Sequence, residues 1–383
     1  MSTAILSGRG LAKVRPRPAT EWRDLVDRDA FGAIGSEWNA LVEASGPEPF
    51  YRHEYIRSFL HHFLPEAPIK VVTGRDSGGV LVAALPLVAT RGSICGIRTR
   101  ELTSPSNVHS LRFDLIAHSG ETSAEAILSH LAEDRSWNVL KITDVPEGGK
   151  AWGLYRAARA AGFPAGAWES QRSPYLTLPR SPVLLREGLR GKFKANLRRR
   201  RKRLAELGEI VVHRLAGAEL TERALRECFS LEQRGWKGRQ GSAVNQSEAI
   251  LGFHIELLEN LEYRESLSLY QLRVGGQLIA FHYGITAHGV YSLVMTSYAE
   301  RFKESSPGQL LTEDVLIDCI SRGLKEFDFL GCDLPWKLEW TKTVRPHHWI
   351  FIFRNNGSGR LLWRIKFVWA KAARQLLTKG VSR

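Results

Sequence analysis

Three side chains in the second half of the sequence are of types that can accept a proton. His282 lies in the middle of an apolar strand pattern, Asp328 lies between Phe327 and Phe329, and Glu232 stands near the end of a helical pattern. A charged group in apolar surroundings needs a partner or a function, because its burial is costly. We therefore take these three as candidate catalytic residues. A structural role is the alternative, and for a single histidine within a strand it is the more common one.

A candidate anion site precedes a helical pattern that begins at Pro307, with Ser305 and Ser306 directly before it. Proline suits the first turn of a helix. The unpaired N–H groups and the dipole of a helix N-terminus both favour a phosphate. Ser306, Gly308 and Gln309 are therefore candidate ligands for phosphate groups. Simple capping of the helix by Ser305 or Ser306 is the alternative.

The segment Gly331–Trp340, with the sequence GCDLPWKLEW, follows the strand pattern that contains Asp328. Loops at this end of a strand often carry function. Asp333, Trp336 and Lys337 are therefore candidate substrate-binding residues, although Trp336 also suits a plain core position.

A second candidate substrate loop follows the helical pattern that contains Glu232. Trp236 and Lys237 lead there into GRQGSA, a run of small residues that could wrap around a substrate. A helix end packed by one aromatic ring is the alternative.

Two alternating sets of elements are predicted to position these side chains. Apolar periodicity from residue 21 to about 178 indicates helices and strands of a mixed α/β domain, with a short last strand near Tyr175–Leu178. In the second set, Gly275-Gly276 and the turn at 287–289 join three antiparallel strands. The predicted elements of the second set are a helix at Leu184–Leu207, a strand at Ile210–Arg214, helices at Glu219–Glu232 and Ser247–Asn260, strands at Ser268–Val274, Gln277–Thr286 and Val290–Tyr298, a helix at Pro307–Arg322, and strands at Glu326–Leu330 and Trp349–Arg354.

The 383 residues suit two domains. Prolines at 179 and 182 indicate the boundary. We predict a flexible leader at 1–20, an N-terminal domain at 21–180, a C-terminal domain at 181–356 and a basic amphipathic helix at 357–383.

The excess of basic residues calls for a polyanionic partner. Lysine and arginine number 54 against 40 acidic residues, which gives a formal charge of +14. Nucleic acid, an anionic membrane surface and a phosphate-rich small ligand all fit this charge. The helical run at 186–203 is strongly basic but lacks the interleaved aromatic rings of a base-stacking surface. The amphipathic run at 359–379 predicts either contact with a membrane surface or docking on the protein itself.

The cysteines argue against a metal site and against a disulfide framework. Cys95, Cys228, Cys319 and Cys332 form no CxxC pair, so no metal is expected and the compartment is predicted to be reducing. The first residues lack the apolar region of a signal peptide, and no run reaches the length needed to span a bilayer. We therefore predict a cytoplasmic protein. Peripheral attachment to the inner face of the cell membrane is one of the two alternatives left open by its amphipathic C-terminal run.

Five stretches of the second half together resemble a known family: NLRRRRKRLAELGEI, LEQRGWKGRQGSA, YQLRVGGQLIAFHYGI, YSLVMTSYAERFKESSPGQLL and GLKEFDFLGCDLPWKLEW. From about Leu197 to Phe353 the sequence resembles the GNAT-type acetyltransferase domain of the CelD-like, cellulose-biosynthesis-associated proteins. These are distant relatives of the FemABX peptidyltransferases. The first half resembles the N-terminal half of such proteins only in length and texture.

The resemblance implies two tandem GNAT-like domains, each with a mixed, mainly antiparallel sheet flanked by helices. It also implies that the strands Tyr291–Tyr298 and Glu326–Leu330 splay apart to admit the pantetheine arm of acyl-CoA. Backbone N–H groups at Thr296, Ser297 and Tyr298 would then hold the carrier and stabilise an oxyanion. The family's pyrophosphate loop is glycine-rich, whereas residues 303–309 here contain one glycine. An acyl carrier protein or an aminoacyl-tRNA therefore stays open as the donor.

The activity that the resemblance implies is transfer of an acyl group from a thioester to an amine, with no covalent enzyme intermediate. The basic helix and the amphipathic tail favour a lipidic or envelope-related acceptor, in ceramide-forming N-acylation or the acylation of a polysaccharide amino sugar. A FemABX-like transferase that uses charged tRNA is one alternative, and nucleic acid is otherwise not an expected partner. A non-catalytic, membrane-attached partner of a polysaccharide synthase is another.

Overall fold

The computed structural model describes residues 19–46, 48–107, 112–233 and 243–369. Within them, thirteen strands form one continuous, mainly antiparallel sheet with helices packed against it. The predicted mixed α/β fold is thereby confirmed.

The first half of the chain contributes seven strands and five helices within its described residues. In chain order they are β1 Glu21–Leu25, α1 Arg28–Ala33, α2 Gly35–Ser45, α3 His53–Phe63, β2 Ile69–Arg75, β3 Leu81–Ile94, β4 Ile97–Thr103, β5 Ile116–Ala117, α4 Gly120–Glu133, β6 Val139–Pro146, α5 Trp152–Ala160 and β7 Ala165–Thr177.

The second half contributes the remaining described elements. They are α6 Pro182–Gly188, α7 Gly191–Ala205, β8 Ile210–Ala216, α8 Glu222–Gln233, α9 Ala243–Glu259, α10 Leu261–Arg264, β9 Leu267–Val274, β10 Gln277–Ala287, β11 Val290–Tyr298, α11 Pro307–Ser321, β12 Glu326–Asp328, β13 Val344–Phe353 and α12 Gly357–Trp363.

The two halves repeat one local arrangement. In the first, β3 and β4 are antiparallel, α4 follows, and β6 returns parallel to β4. In the second, β10 and β11 are antiparallel, α11 follows, and β12 returns parallel to β11. The sequence halves show no matching residues that would reveal this repeat, because the similarity lies in strand order.

The last strand crosses between the halves. β13 comes from the end of the chain but lies between β6 and β7 of the first half. Ile350 and Ile352 on β13 are buried in the same core as α4 and α5. The predicted C-terminal unit at 181–356 therefore sends its final strand into the sheet of the first unit.

The predicted and the observed elements differ at several points. The single predicted helix at Leu184–Leu207 is two helices, since Leu189 and Arg190 adopt extended backbone between α6 and α7. The short strand predicted near Tyr175 is the end of the longer β7, whose polar run WESQRS hides the alternation of a strand. The strand β4 was not predicted because its sequence, IRTRELT, is rich in charged residues.

The turn between β9 and β10 agrees with its prediction. Gly275 and Gly276 have φ values of 54° and 79°, in the left-handed region that favours glycine. This geometry suits a two-residue hairpin turn, and the three-stranded meander β9–β10–β11 that carries the candidate site depends on it.

The start of the predicted C-terminal helix docks on the protein itself. Trp363 Nε1 donates to the Ala165 carbonyl at 3.0 Å, and Phe367 packs against Trp168 and Phe351. Trp369 is exposed, and the rest of the predicted helix lies outside the described residues. No helix in the described parts of the chain has the length and apolar character to cross a bilayer.

Candidate functional site

The central feature of the second half is a gap between two parallel strands. β11 and β12 pair over three residues, up to Ser292 and Asp328. β11 then continues to Tyr298 paired with β10, whereas the chain after β12 turns away at Leu330 and Gly331, which have φ values of 50° and 56°. A leucine in this region is strained, and such strain is concentrated at functional sites.

Lys337 places a positive charge beside the point where the strands separate. Its Nζ donates a hydrogen bond to the carbonyl of Leu330, and the side chain is buried. Burial lowers the pKa of this ammonium to about 8, against the raising influence of Cys332, Asp328 and Asp333. Lys337 was predicted as a substrate-binding residue from its loop position. The structure shows in addition that its side chain is buried, so its ammonium group is desolvated.

The predicted anion site lies at the start of α11. Ser306 has a φ of 44°, and its hydroxyl donates to the Lys303 carbonyl at 3.4 Å rather than capping the helix. The alternative of simple capping by Ser306 is therefore not what the structure shows. Gly308, in the first turn, is half-buried, and the nearest atom to an added Cβ would be Tyr298 Cδ1 at 3.7 Å.

Gln309 is occupied by contacts within the protein. Its Nε2 donates to the Trp336 carbonyl at 3.1 Å, and its Oε1 accepts from Trp340 Nε1 at 2.6 Å. Its backbone N–H donates to the Ser306 carbonyl at 3.0 Å. Gln309 and Trp336 thus tie the segment 331–340 to the start of α11, which is a positioning role.

The basic helix α7 lies next to this anion site. It packs against residues 300–305 and against α11. Arg201 is paired with Glu313 at 3.1 Å and with Asp314 at 2.9 Å. The basic side chains of α7 that remain exposed are Lys192, Arg198, Arg199, Lys202 and Arg203. They provide a positive surface beside the helix N-terminus, as a phosphate-rich ligand requires.

His282 lies beneath α11, with no exposed surface. Its Nε2 is 3.5 Å from the hydroxyl of Thr312. Burial lowers its pKa to about 3, so the imidazole is neutral at physiological pH. Its role as a proton acceptor stays a prediction. The neutral imidazole can accept a proton, but the complete burial of the side chain does not suit this role.

Because two histidines are buried, we expect the protein to lose stability in acid. The pKa values of His282 and His347 are lowered by burial to about 3 and about 4, below the usual 6.5. The unfolded chain therefore binds more protons below pH 6.5, and the unfolding free energy should fall by roughly 1 kcal/mol per pH unit for each histidine. Chemical denaturation between pH 7 and 5 measures this slope. His282→Gln and His347→Gln should each flatten it, and an unchanged slope would contradict the assignment.

Asp328 belongs to a buried charge cluster that joins the two halves. Its Oδ2 accepts from Arg112 and from Arg345, both at 2.6 Å, and its Oδ1 accepts from the Leu330 N–H at 2.8 Å. Arg112 also reaches Glu48 at 2.8 Å. Both oxygens of the carboxylate are thus engaged by donors within the protein, so this arrangement favours a structural role for Asp328.

A pocket of about 340 Å³ lies between the halves beside this cluster. Ser292, the last β11 residue paired with β12, lines it, so the pocket borders the gap between the strands. Its charged side chains are Glu48, Arg112, Glu147, Glu326 and Arg345, with His288 at the rim. Sequence reasoning missed it because its lining comes from distant parts of both halves.

The other predicted site residues that the structure describes lie on three different segments. Thr296, Ser297 and Tyr298 are half-buried on the part of β11 that pairs with β10 but not with β12. Asp333 is exposed, and Glu232 is half-buried at the end of α8. Trp236 and Lys237 lie outside the described residues.

Residues 191–338 match the family described as the acetyltransferase (GNAT) domain. No curated protein matches the sequence. The fold is similar to that of FemX, with a TM-score of 0.58 and 11% identity over 90% of this chain and 100% of that one. It is also similar to the C-terminal domain of a putative lysylphosphatidylglycerol synthetase from Agrobacterium fabrum, with a TM-score of 0.52 and 10% identity over 88% and 95%. The L-PGS structure from Bacillus licheniformis gives 0.50 and 12% over 86% and 96%. At these levels of sequence identity, the comparisons show a similar fold and nothing more.

Proposed function

We propose that this chain is an N-acyltransferase that moves an acyl group from acyl-CoA, or another acyl thioester, to an amine. The observation that carries the proposal is the separation of β11 from β12 directly before the N-terminus of α11, within the residues that match the GNAT domain. A thin, extended pantetheine arm fits between two splayed strands, and the adjacent helix N-terminus suits its phosphates.

The charge distribution supports a phosphate-rich donor. The exposed lysines and arginines of α7 lie beside the segment 300–305 that leads into α11. An acyl-CoA bound at the start of α11 would therefore meet positive charge on one side. Gly308 would contribute the backbone N–H of the first turn, whereas the N–H of Ser306 already donates to the Lys303 carbonyl at 2.9 Å.

The proposed reaction is a direct attack. The amine nitrogen forms a bond to the thioester carbon, the carbon–sulfur bond breaks, and the proton lost by nitrogen ends on the departing sulfur. Negative charge develops on the carbonyl oxygen during the attack. The Lys337 ammonium and a backbone N–H near Thr296–Tyr298 are the groups that we propose to stabilise this charge.

The acceptor amine would approach through the pocket between the halves. Its lining carries the carboxylates of Glu48, Glu147 and Glu326 against the two arginines, in a protein whose formal charge is +14. A local excess of carboxylates attracts an ammonium group. We propose a lipidic or envelope-related amine as the acceptor, and a protein that works at the inner face of the membrane. Two observations support this: Trp369 is exposed, and one protein with a similar fold is named as a putative lysylphosphatidylglycerol synthetase.

Aminoacyl transfer from charged tRNA is a second candidate. The observation that favours it is the packing of Gln309 against Trp336 and Trp340, which fills space beside the helix N-terminus where a compact pyrophosphate would bind. The exposed basic face of α7 also suits a nucleic acid backbone.

Calorimetric titration with acetyl-CoA, a long-chain acyl-CoA and free CoA tests the donor. Gly308→Phe should weaken binding by at least about tenfold, because a bulky side chain would fill the first turn of α11. Gly308→Ala is the matched control, since its Cβ would lie in ordinary contact with Tyr298, and it should bind as the wild type does.

The opposite results are equally informative. If none of the three compounds binds, the acyl-CoA proposal fails. Binding of charged tRNA that weakens steeply with salt would then support the second candidate. Unchanged binding by a folded Gly308→Phe variant would place the ligand elsewhere.

A further inference from the structure

Two histidines and a glutamate meet where the two halves pack together. His61 and His62 are at the end of α3 in the first half, and Glu256 is on α9 in the second. His61 Nδ1 lies 2.8 Å and His62 Nε2 3.0 Å from the same carboxylate oxygen, Glu256 Oε2. Imidazole nitrogens and a carboxylate oxygen are the ligands that Zn²⁺ takes in proteins.

The distances between these atoms suit a shared metal ion. All three ligand atoms lie within 4.8 Å of one another. The ligand atoms of a tetrahedral zinc ion are about 3.3 Å apart, given metal–ligand bonds of about 2.0 Å. The two histidine–carboxylate distances, 2.8 and 3.0 Å, would therefore lengthen by a few tenths of an ångström when the ion replaces the ring protons. Arg57 contacts the other oxygen of Glu256 at 3.2 Å and is largely exposed, so it can turn into solvent.

The opposing helix makes room for one of the rings. Gly252 precedes Glu256 by one turn of α9, and a Cβ at this position would lie 2.7 Å from His62 Cε1 and 2.8 Å from Nδ1. No side chain can approach that closely. The absence of a side chain at 252 is therefore what lets His62 reach Glu256.

We propose that His61, His62 and Glu256 form a Zn²⁺ site that fastens α3 to α9, with water completing the tetrahedral coordination. The ligands come from positions 194 and 195 residues apart, so the metal would link the two halves of the chain. Because these ligands are far apart in the sequence, the spacing of the cysteines and of their neighbours gave no sign of a metal site. The site is separate from the gap between β11 and β12 and does not depend on the proposed acyl transfer.

The test is calorimetric titration of the chelator-treated, full-length protein with ZnCl₂, and with Co²⁺ followed by visible absorption. We expect one equivalent of tightly bound zinc per chain and the intense bands of four-coordinate Co²⁺. His62→Ala and Glu256→Gln should each weaken zinc binding by at least about 100-fold, since each removes one of three protein ligands. Zinc in excess should raise the melting temperature of the wild type by a few degrees, as for any ligand that binds only the folded chain.

The matched control is His130→Ala. His130 Nε2 lies 2.9 Å from Asp24, so it is another histidine–carboxylate pair, but without a second histidine ligand. It should keep the wild-type affinity. Gly252→Ala should weaken zinc binding by displacing His62, and circular dichroism checks that each variant is folded. Zinc uptake that is unchanged in folded His62→Ala or Glu256→Gln, or no uptake by the wild type, would overturn the proposal.

Discussion

Replacing Lys337 with methionine is expected to lower kcat by about 10²–10³-fold, the usual effect of removing one donor that stabilises a developing oxyanion. Methionine keeps much of the length of the side chain but has no charge. The ammonium lies beside the gap between β11 and β12, bonded to the Leu330 carbonyl. Steady-state kinetics with the donor identified by calorimetry would measure the change.

The same substitution should not destabilise the fold. Burial lowers the pKa of Lys337 to about 8, from the ordinary 10.5. The unfolded chain therefore binds more protons between pH 8 and 10.5, and the unfolding free energy rises with pH across that interval. Below pH 8 the buried charge costs stability, so Lys337→Met should raise the unfolding free energy at pH 7 by roughly 1–3 kcal/mol.

Lys337→Arg is the control that separates charge from packing. It keeps a cation that does not lose its proton. If the ammonium is required, the wild-type rate should fall as pH rises through about 8, and in the arginine variant this fall should move to higher pH. An unchanged kcat in Lys337→Met, with protein that is fully folded, would exclude the proposed role.

Much of the second half could be predicted from local patterns. The strands β9, β10 and β11 lie close to the three strands predicted from apolar runs, and Gly275-Gly276 marks their first turn. The helix α11 begins at Pro307, as its proline and serines indicated. These features depend on neighbouring residues, so a single sequence contains the information for them.

The contacts that define the candidate site could not be predicted in this way. Arg112 and Asp328 are 216 residues apart, and β13 leaves its own half to pair with β6 and β7. Nothing in the local pattern around these residues identifies the partner. Asp328 was therefore predicted as a candidate base, whereas its two guanidinium partners lie in the loop before β5 and on the crossing strand β13.

The charge cluster of Asp328, Arg112 and Arg345 includes a residue of the crossing strand β13. Arg345 lies on β13, Asp328 on β12 and Arg112 in the loop before β5. The three residues thus connect the final strand, the site-bearing half and the first half at one point. Because the pocket between the halves is lined by both arginines, its shape depends on the same ion pairs.

Asp328→Asn is expected to lower the unfolding free energy by about 3–5 kcal/mol, because it leaves the buried guanidinium of Arg112 and the half-buried one of Arg345 without the carboxylate that they share. Chemical denaturation at pH 7 measures the loss. Glu169→Gln is the matched control. It removes the carboxylate of an exposed arginine pair at 2.7 Å, and such surface pairs contribute less than about 1 kcal/mol.

The same variant distinguishes the two roles considered for Asp328. If the carboxylate holds the halves together, Asp328→Asn should keep most of its kcat at temperatures where it remains folded, with the loss confined to stability and to KM through the shape of the pocket. A large fall in kcat with little change in unfolding free energy would instead restore Asp328 as the proton acceptor. The structural role follows from the geometry, because both oxygens of the carboxylate already accept hydrogen bonds from Arg112, Arg345 and the Leu330 N–H.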